Sequence, residues 1–416
     1  MVNNKKSKIH VLFLTDNFPP EVNAPATRTF EHALRWVRAG HQVTVITCVP
    51  NFPEGRIFAG YENKWYQREH IDGIDVVRVK TYIAANEGFA KRILDFLSFM
   101  LMSFFAALAQ KKPDLIVATS PQFFTAVSGY LVSVVRKRPF LFEVRDLWPA
   151  SITAVGSIRN LRIINMLEKL ELFLYDRATG IVTVTEAFKN DLTSRGVKPE
   201  KIEVVLNGVD LDRYRPVQSM DKPLAQKYGL TDKFVAAYIG TMGMAHSLET
   251  ILEAAKLLSH RNDIRIVLAG GGAKSDFAKS FVAQHKLTNV VLIPRQAKDK
   301  MPSIWSICDV SLVTLKNTPI FSTVIPSKMF EAMGMGIPII MAVPKGEATD
   351  IIKTTGSGVV VSPEKHLELA TEIERLCDDR NTLHELATRS SEAAQGFSRD
   401  TAADKMLKFM LKLSVQ

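Results

Sequence analysis

Residues 234–259 read FVAAYIGTMGMAHSLETILEAAKLLS. The first six, Phe234 to Ile239, form a short apolar run rich in strand formers, Gly240 to Ser247 form a glycine-bearing turn, and Leu248 to Ser259 repeat their apolar residues at helical spacing. Strand, tight turn and helix in that order are half of a parallel βαβ unit. The same alternation runs outward in both directions. Towards the carboxyl end, strands are expected at Ile264 to Ala269, Val290 to Ile293, Val310 to Val313, Ile337 to Met341 and Val359 to Val361. Helices are expected at Ser275 to His285 and Leu367 to Asp378. Towards the amino end a second series has strands at Ile9 to Leu14, Gln42 to Thr47, Val76 to Lys80, Leu115 to Thr119, Pro139 to Glu143, Gly180 to Thr185 and Ile202 to Leu206. Its helices are expected at Arg28 to Ala39, Ile93 to Gln110 and Leu161 to Tyr175.

The pattern therefore runs twice, which 416 residues also favour, since a chain of that length exceeds what one hydrophobic core usually supports. The fold class expected is α/β, with two doubly wound parallel-sheet domains of Rossmann type facing a central cleft. Asn207-Gly208-Val209-Asp210 and Arg213-Tyr214-Arg215-Pro216 combine a turn dipeptide, a proline and lost periodicity. They place the boundary at 212/213: a first domain over 1–212, a second over 213–397, and a tail helix, 398–416, that packs back on the first. At 46% hydrophobic and 23% charged residues, disordered, collagenous and coiled-coil chains are excluded. Cys48, Cys308 and Cys377 form no CxxC pair, which suits a reducing cytoplasm and argues against structural zinc.

The net charge of +10 has three candidate partners: nucleic acid, an anionic membrane surface or a phosphorylated substrate. Nucleic acid is the poorest of them, because no basic-aromatic motif or Lys/Arg stripe stands out. Met1 to His10 is polar and basic without a signal-peptide core, so export by that route is not expected. Ile93 to Ala109 is apolar except for Asp95, Ser98 and Ser103, and is flanked by Lys91-Arg92 and Lys111-Lys112. It is too short, and too acidic, to span a bilayer. Two roles remain open for it: a buried core helix, or a helix inserted shallowly at an anionic leaflet.

Chemistry is expected in the loops after the strands. In Pro326-Ser327-Lys328-Met329-Phe330-Glu331, Ser327 reads as an N-cap, with Lys328 in the first helical turn and Glu331 three residues on along the same face. A phosphate there would meet free N–H groups and an ammonium, and Glu331 could bind a ribose diol. The plain alternative is a solvated Lys328–Glu331 ion pair. The turn Gly240-Thr241-Met242-Gly243 and His246 would let a ligand approach the backbone closely. Gly270-Gly271-Gly272-Ala273-Lys274-Ser275 is not a P-loop, because Leu268 and Ala273 stand where glycines are required. In the first domain, Glu143-Val144-Arg145-Asp146-Leu147-Trp148-Pro149 would put Arg145 and Asp146 at the mouth of the cleft, unless they form a structural pair. Asp16, in the turn after the first strand, and Arg28, which opens the first helix, are candidates on the acceptor side. Arg295 could pass under a nucleobase. Asp210-x-Asp212 lies in the linker and is read as coincidence, so no metal site is expected.

Taken in order, Pro19-Pro20, Gly40-His41-Gln42-Val43-Thr44-Val45, Asn207-Gly208-Val209-Asp210 and Lys328-x-x-Glu331-Ala332-Met333-x-x-Gly336-x-Pro338 resemble the retaining family 4 glycosyltransferases of the GT-B fold, over nearly the whole chain. The Glu143-to-Pro149 run with Pro326-Ser327-Lys328 resembles the branch that builds bacterial surface polysaccharides, including N-acetyl-L-fucosamine transferases. The resemblance implies a UDP-sugar donor held by the second domain and an acceptor held by the first. It assigns the ribose to Glu331, the diphosphate to Gly240 through Gly243, the base to Arg295, and the neighbourhood of the transferred sugar to Arg145 and Asp146. It implies retention by front-face attack, with no cofactor and no metal. The acceptor implied is a lipid-diphosphate-linked glycan at the inner face of the cell membrane, in O-antigen, capsule or exopolysaccharide synthesis. Three departures stand out. Thr323 occupies the first position of the family's E-x7-E pair, Thr241 and His246 occupy its usual diphosphate-clamping Arg and Lys, and Asn23-Ala24-Pro25 replaces a glycine pair. Lys328 is expected to supply the missing cation. The rival readings are a GT-B UDP-sugar epimerase and a non-catalytic nucleotide-sugar binding protein.

Overall fold

The structure is a computed structural model and describes residues 8–52, 55–83, 89–150, 153, 160–217 and 219–415; side chains at 89 and 90 are not described. These residues form two compact units, Met1–Leu206 with Asp400–Gln416, and Asn207–Arg399. Each is built on one sheet.

The strands of the first unit are β1 (His10–Leu14), β2 (Gln42–Cys48), β3 (Tyr66–Ile71), β4 (Ile74–Val79), β5 (Leu115–Thr119), β6 (Phe140–Val144), β7 (Gly180–Thr183) and β8 (Ile202–Val204). Their spatial order is β3-β4-β2-β1-β5-β6-β7-β8, parallel throughout except for β3 against β4. Every residue of β5, β6 and β7 is buried, as a parallel strand covered on both faces requires. Helices α1 (Ala24–Arg38), α2 (Phe89–Leu108), α3 (Phe124–Arg136), α4 (Leu161–Arg177) and α5 (Glu186–Ser194) follow the strands. One face of the sheet packs Phe99, Phe123, Phe140, Phe142, Trp148 and Tyr175. The other packs Phe13 and Trp36 against Met406, Phe409 and Met410 of the terminal helix Arg399–Ser414, and Trp36 Nε1 donates to the Ala403 carbonyl.

The second unit has β9 (Phe234–Thr241), β10 (Ile264–Gly271), β11 (Val290–Pro294), β12 (Val310–Thr314), β13 (Ile339–Ala342) and β14 (Gly358–Val360), all parallel in the order β11-β10-β9-β12-β13-β14. Its helices include Leu248–Leu257 after β9 and Lys328–Gly334 after β12. The strand order reverses direction between β1 and β5 in the first unit and between β9 and β12 in the second. A crevice opens at such a switch point beyond the carboxyl ends of the strands. The loops carrying Asp16 and Ser120 flank the first, and those carrying Gly240 and Lys328 flank the second.

Each strand expected from sequence is present, with ends shifted by a few residues; β13 begins at Ile339, after Pro338 rather than across it, because proline cannot donate to the ladder. The polar strand β3 is additional. It pairs with β4 through a tight turn at Asp72 and Gly73, both with positive φ (49° and 86°). Helix α1 begins at Ala24, four residues before the expected start. Asn23 Oδ1 accepts the Ala26 N–H at 2.9 Å, and Pro25 lies in the first turn.

Helix α2 is neither fully buried nor a span. Phe99, Ser103, Ala106 and Ala107 face the core, while Leu94, Leu97, Leu101 and Phe105 lie exposed along the other side. Among the described residues no helix is long and apolar enough to cross a membrane. Exposed apolar residues continue onto α3 at Val134 and Val135, which packs against α2, and onto α4 at Met166 and Phe173. Lys91, Lys111, Lys112 and Lys137 around them are exposed.

Candidate functional site

The switch point of the second unit is shaped by glycines. Gly240 ends β9 with φ of 136° and Gly270 ends the neighbouring β10 with φ of 146°. A Cβ on Gly270 would lie 1.9 Å from the Gly240 carbonyl, so the strand ends can meet only without side chains. The turn after β9 is pinned on both sides: Met242 N–H donates to Gly271 O, and Lys274 N–H donates to Met242 O, both at 2.8 Å. Lys274 itself is engaged elsewhere, its amine donating to Glu249 at 2.6 Å.

Lys328 reaches this turn from the other side of the switch point. Its Nζ is shielded from solvent, has no hydrogen-bond partner among the described residues, and lies 3.5 Å from the centroid of the Tyr238 ring. A Cβ on Gly240 would come within 3.4 Å of Lys328 Cε and Nζ. The solvated Lys328–Glu331 pair is therefore not what forms. Burial, opposed only partly by Glu331, brings the Lys328 amine down to about 7. An amine desolvated without a partner is a site prepared for an anion.

His246 completes the group. Its Nδ1 accepts the Gly243 N–H at 3.3 Å, which places its own proton on Nε2. Burial first, then the nearby Lys328, hold it down at about 3, so it stays neutral. The ring lies edge-on to Tyr238 at 6.1 Å. Tyr238 donates its hydroxyl to Thr241 O at 2.5 Å. Glu331 accepts the indole N–H of buried Trp305 at 3.3 Å. Thr241 and Arg295 are exposed at the rim, with Met242 buried beneath the turn. Ser327 is not an N-cap: its backbone is already helical, with φ −60° and ψ −23°, and its side chain makes no capping bond. Thr323 donates to Ile320 O at 2.8 Å within its own turn.

In the first unit, Ser120 Oγ accepts the N–H groups of Arg145 at 2.7 Å and Asp146 at 3.2 Å, fixing the turn after β6. Trp148 stacks on Phe123 below it. Burial pushes the Asp146 carboxyl up to about 6, against the pull of Arg145. Burial, reinforced by Asp95 of α2, pushes Asp16 up to about 7. Arg28 is a correction. It does not face an acceptor: it is 1% exposed, with Nε on Glu143 at 2.8 Å and its two terminal nitrogens on Leu206 O and Val205 O at 3.0 and 2.9 Å. Asn23 and Pro25 likewise serve the start of α1.

Comparison with known proteins finds a Glycosyl transferase 4-like domain over residues 23–208 and a Glycosyl transferases group 1 domain over 221–396. The chain belongs to the GT-B glycosyltransferases. This glycosyltransferase is 26% identical over 358 residues to a protein of Escherichia coli (strain K12) named for colanic acid biosynthesis, the glycosyl transferase WcaI, covering 84% of this chain and 87% of that one. Several other curated relatives are matched over only about half to three fifths of their own length, such as 51% and 60%, whereas an uncharacterized glycosyltransferase of Methanocaldococcus jannaschii is matched over 89% of its length at 22% identity. Among solved structures it resembles sucrose-phosphate synthase from Thermosynechococcus elongatus (TM-score 0.76, 15% identity, 98% of this chain and 99% of that). It also resembles Anabaena Alr3699/HepE in complex with UDP-glucose (TM-score 0.72, 18% identity, 97% and 100%). At these identities the structures establish the shared two-sheet fold.

Within the glycosyltransferase, Gly240, Gly243, His246 and Lys328 converge on one switch point, with Glu331 one helical turn beyond Lys328. Tyr238 and Trp305 were not among the residues expected there. An aromatic residue inside a strand or helix ordinarily marks core, so only their polar contacts give them away.

Proposed function

We propose that this glycosyltransferase moves a sugar from a UDP-sugar to a lipid-diphosphate-linked oligosaccharide in bacterial surface-polysaccharide synthesis. The observation that carries the donor half is the desolvated, unpartnered Lys328 amine set against the Gly240 turn. A nucleoside diphosphate satisfies that amine and takes the Nε2–H of His246, while Glu331 binds the ribose. The departing diphosphate is thereby stabilised as charge develops on it, which is where electrostatic catalysis is strongest. The relative named for colanic acid biosynthesis supports the polysaccharide setting, and the neighbour solved with UDP-glucose supports the donor class. By the same reading the donor sugar is an N-acetylated deoxyhexosamine such as N-acetyl-L-fucosamine, and transfer retains configuration. A donor phosphate oxygen takes the acceptor proton, and no metal or other cofactor takes part.

The acceptor falls to the first unit, with Asp146 and Arg145 beside the transferred sugar and Asp16 on the acceptor side. The apolar stripe of α2, continued on α3 and α4 and rimmed by lysines, supports attachment to the anionic inner leaflet, where a lipid-linked acceptor would lie. The deciding experiment incubates the purified protein with a panel of UDP-sugars and lipid-diphosphate-linked monosaccharides and reads products by mass spectrometry. Transfer from a UDP-N-acetylhexosamine upholds the reading. An epimerised UDP-sugar without transfer would replace it with the epimerase, and UDP binding without turnover with a binding protein.

A further inference from the structure

The amine of Lys328 has no acceptor among the described residues, yet it is not adrift: it rests on the face of Tyr238, whose hydroxyl is bonded to the carbonyl of Thr241 in the glycine turn. One side chain therefore touches both halves of the phosphate site, the cation from the β12 side and the turn from the β9 side. We propose that Tyr238 is a positioning residue for the donor diphosphate, seating the Lys328 amine on its ring and the glycine turn on its hydroxyl so that both meet the phosphates together. This rests on the donor reading above and adds to it a resting seat for the cation and a proton that arrives with the ligand.

The ionisable groups around the amine are Glu331 on its own helix, His246 from the turn after β9, and Tyr238 on β9. His246 is neutral and Tyr238 stays protonated, its hydroxyl pushed far up by burial, so neither adds a charge beside the amine near neutral pH. Glu331 shares its carboxylate with Trp305 Nε1. With the amine near half-protonation at pH 7, a bound diphosphate favours the ammonium. Lys328 Nζ then takes up to one proton from the buffer acid, which leaves as its conjugate base, and the ammonium donates to the phosphate oxygens while still seated on the ring.

Calorimetric titration of the full chain with UDP tests this. At pH 8, in buffers of different ionisation enthalpy, the slope of the observed enthalpy should give uptake of at least about half a proton per UDP, and affinity should fall by about tenfold or more from pH 7 to pH 9. Lys328→Met, a neutral chain of similar shape, should remove both the uptake and the pH dependence. Tyr238→Phe keeps the ring and should stay within about fivefold of wild-type affinity. Tyr238→Leu should lose about tenfold. In the Lys328→Met background the Tyr238→Leu loss should shrink to no more than that of Tyr238→Phe, the part carried by the hydroxyl, which a merely structural tyrosine would not produce. UDP binding without buffer dependence at pH 8, or an undiminished Tyr238→Leu effect in the Lys328→Met background, overturns the proposal. No UDP binding at any pH removes the donor reading and this inference with it, so the two failures are told apart.

Discussion

Replacing Arg28 with methionine tests whether this residue is a strut of the first unit or a contact for the acceptor. The substitution keeps most of the buried volume but leaves three groups without their donor: the Glu143 carboxylate and the carbonyls of Val205 and Leu206. Breaking a buried ion pair on one side costs about 3 to 5 kcal/mol. Arg145 still lies near Glu143 and acts in the same direction as Arg28, so the lower end, about 3 kcal/mol, is expected. Glu143→Leu added to Arg28→Met removes the stranded charge and should restore about 2 kcal/mol, the two carbonyls accounting for the rest. The pH dependence has a definite sign. In the wild type, burial pushes Glu143 up but Arg28 and Arg145 outweigh it and hold it below its ordinary value. Its contribution is present above the unfolded carboxyl's pKa and is lost as pH falls through the folded one. With Arg28 gone, burial acts against less opposition and the carboxyl moves upward, so the deficit of Arg28→Met should shrink on going from pH 8 to pH 5. Hydrogen exchange of peptides from β1 and β6 reads the first unit alone, which avoids forcing a two-state description on a two-unit chain. UDP affinity, which the donor reading places in the second unit, should not change. Exchange protection equal to wild type, or no recovery in the double variant, would refute the strut. A raised acceptor KM at unchanged stability would restore Arg28 to the acceptor side.

Four further outcomes are expected. Lys328→Ala should weaken UDP binding by about 10- to 100-fold and His246→Ala by under about fivefold, since only the first removes a positive charge; equal affinities in calorimetry would contradict the assignment of the cation. Gly270→Ala drives a Cβ to 1.9 Å from the Gly240 carbonyl at positive φ, and should lower the thermal unfolding midpoint of the second unit and weaken UDP binding together. Sugar transfer should be insensitive to EDTA, and strict dependence on added Mn²⁺ would count against a leaving group neutralised by Lys328. Leu101→Glu with Phe105→Glu, both on the exposed side of α2, should shift the protein from salt-washed membranes to the supernatant while α2 keeps its exchange protection; unchanged partition would detach this face from any membrane role.

How far the sequence carries depends on whether a residue's meaning is local. The central strands were legible because burial on both faces demands unbroken apolar runs. Strand β3 was not, being a polar edge strand, although Asp72-Gly73 was the turn that announced it. Helix α3 was hidden by its valines and by Gly129, which is glycine because a Cβ there would sit 2.7 Å from that of Ala118. Arg28 could not be resolved at all, since its partner Glu143 is 115 residues away. The cation site shows the opposite case. Family resemblance expects basic residues at 241 and 246, where Thr241 and neutral His246 stand, and Lys328 is separated from them by more than eighty residues of chain. But β9 and β12 are neighbours on the two sides of the switch point, so the loop after either strand reaches the same crevice. A positive charge can therefore pass from one loop to the other without leaving the crevice proposed for the diphosphate. Lys328 lowering the affinity of His246 for its proton is the electrostatic sign that the two positions share that place. It also explains why His246 is tolerated: a second full charge beside an already desolvated amine would cost more than it returned, whereas a neutral imidazole offers the proposed diphosphate a donor without the repulsion.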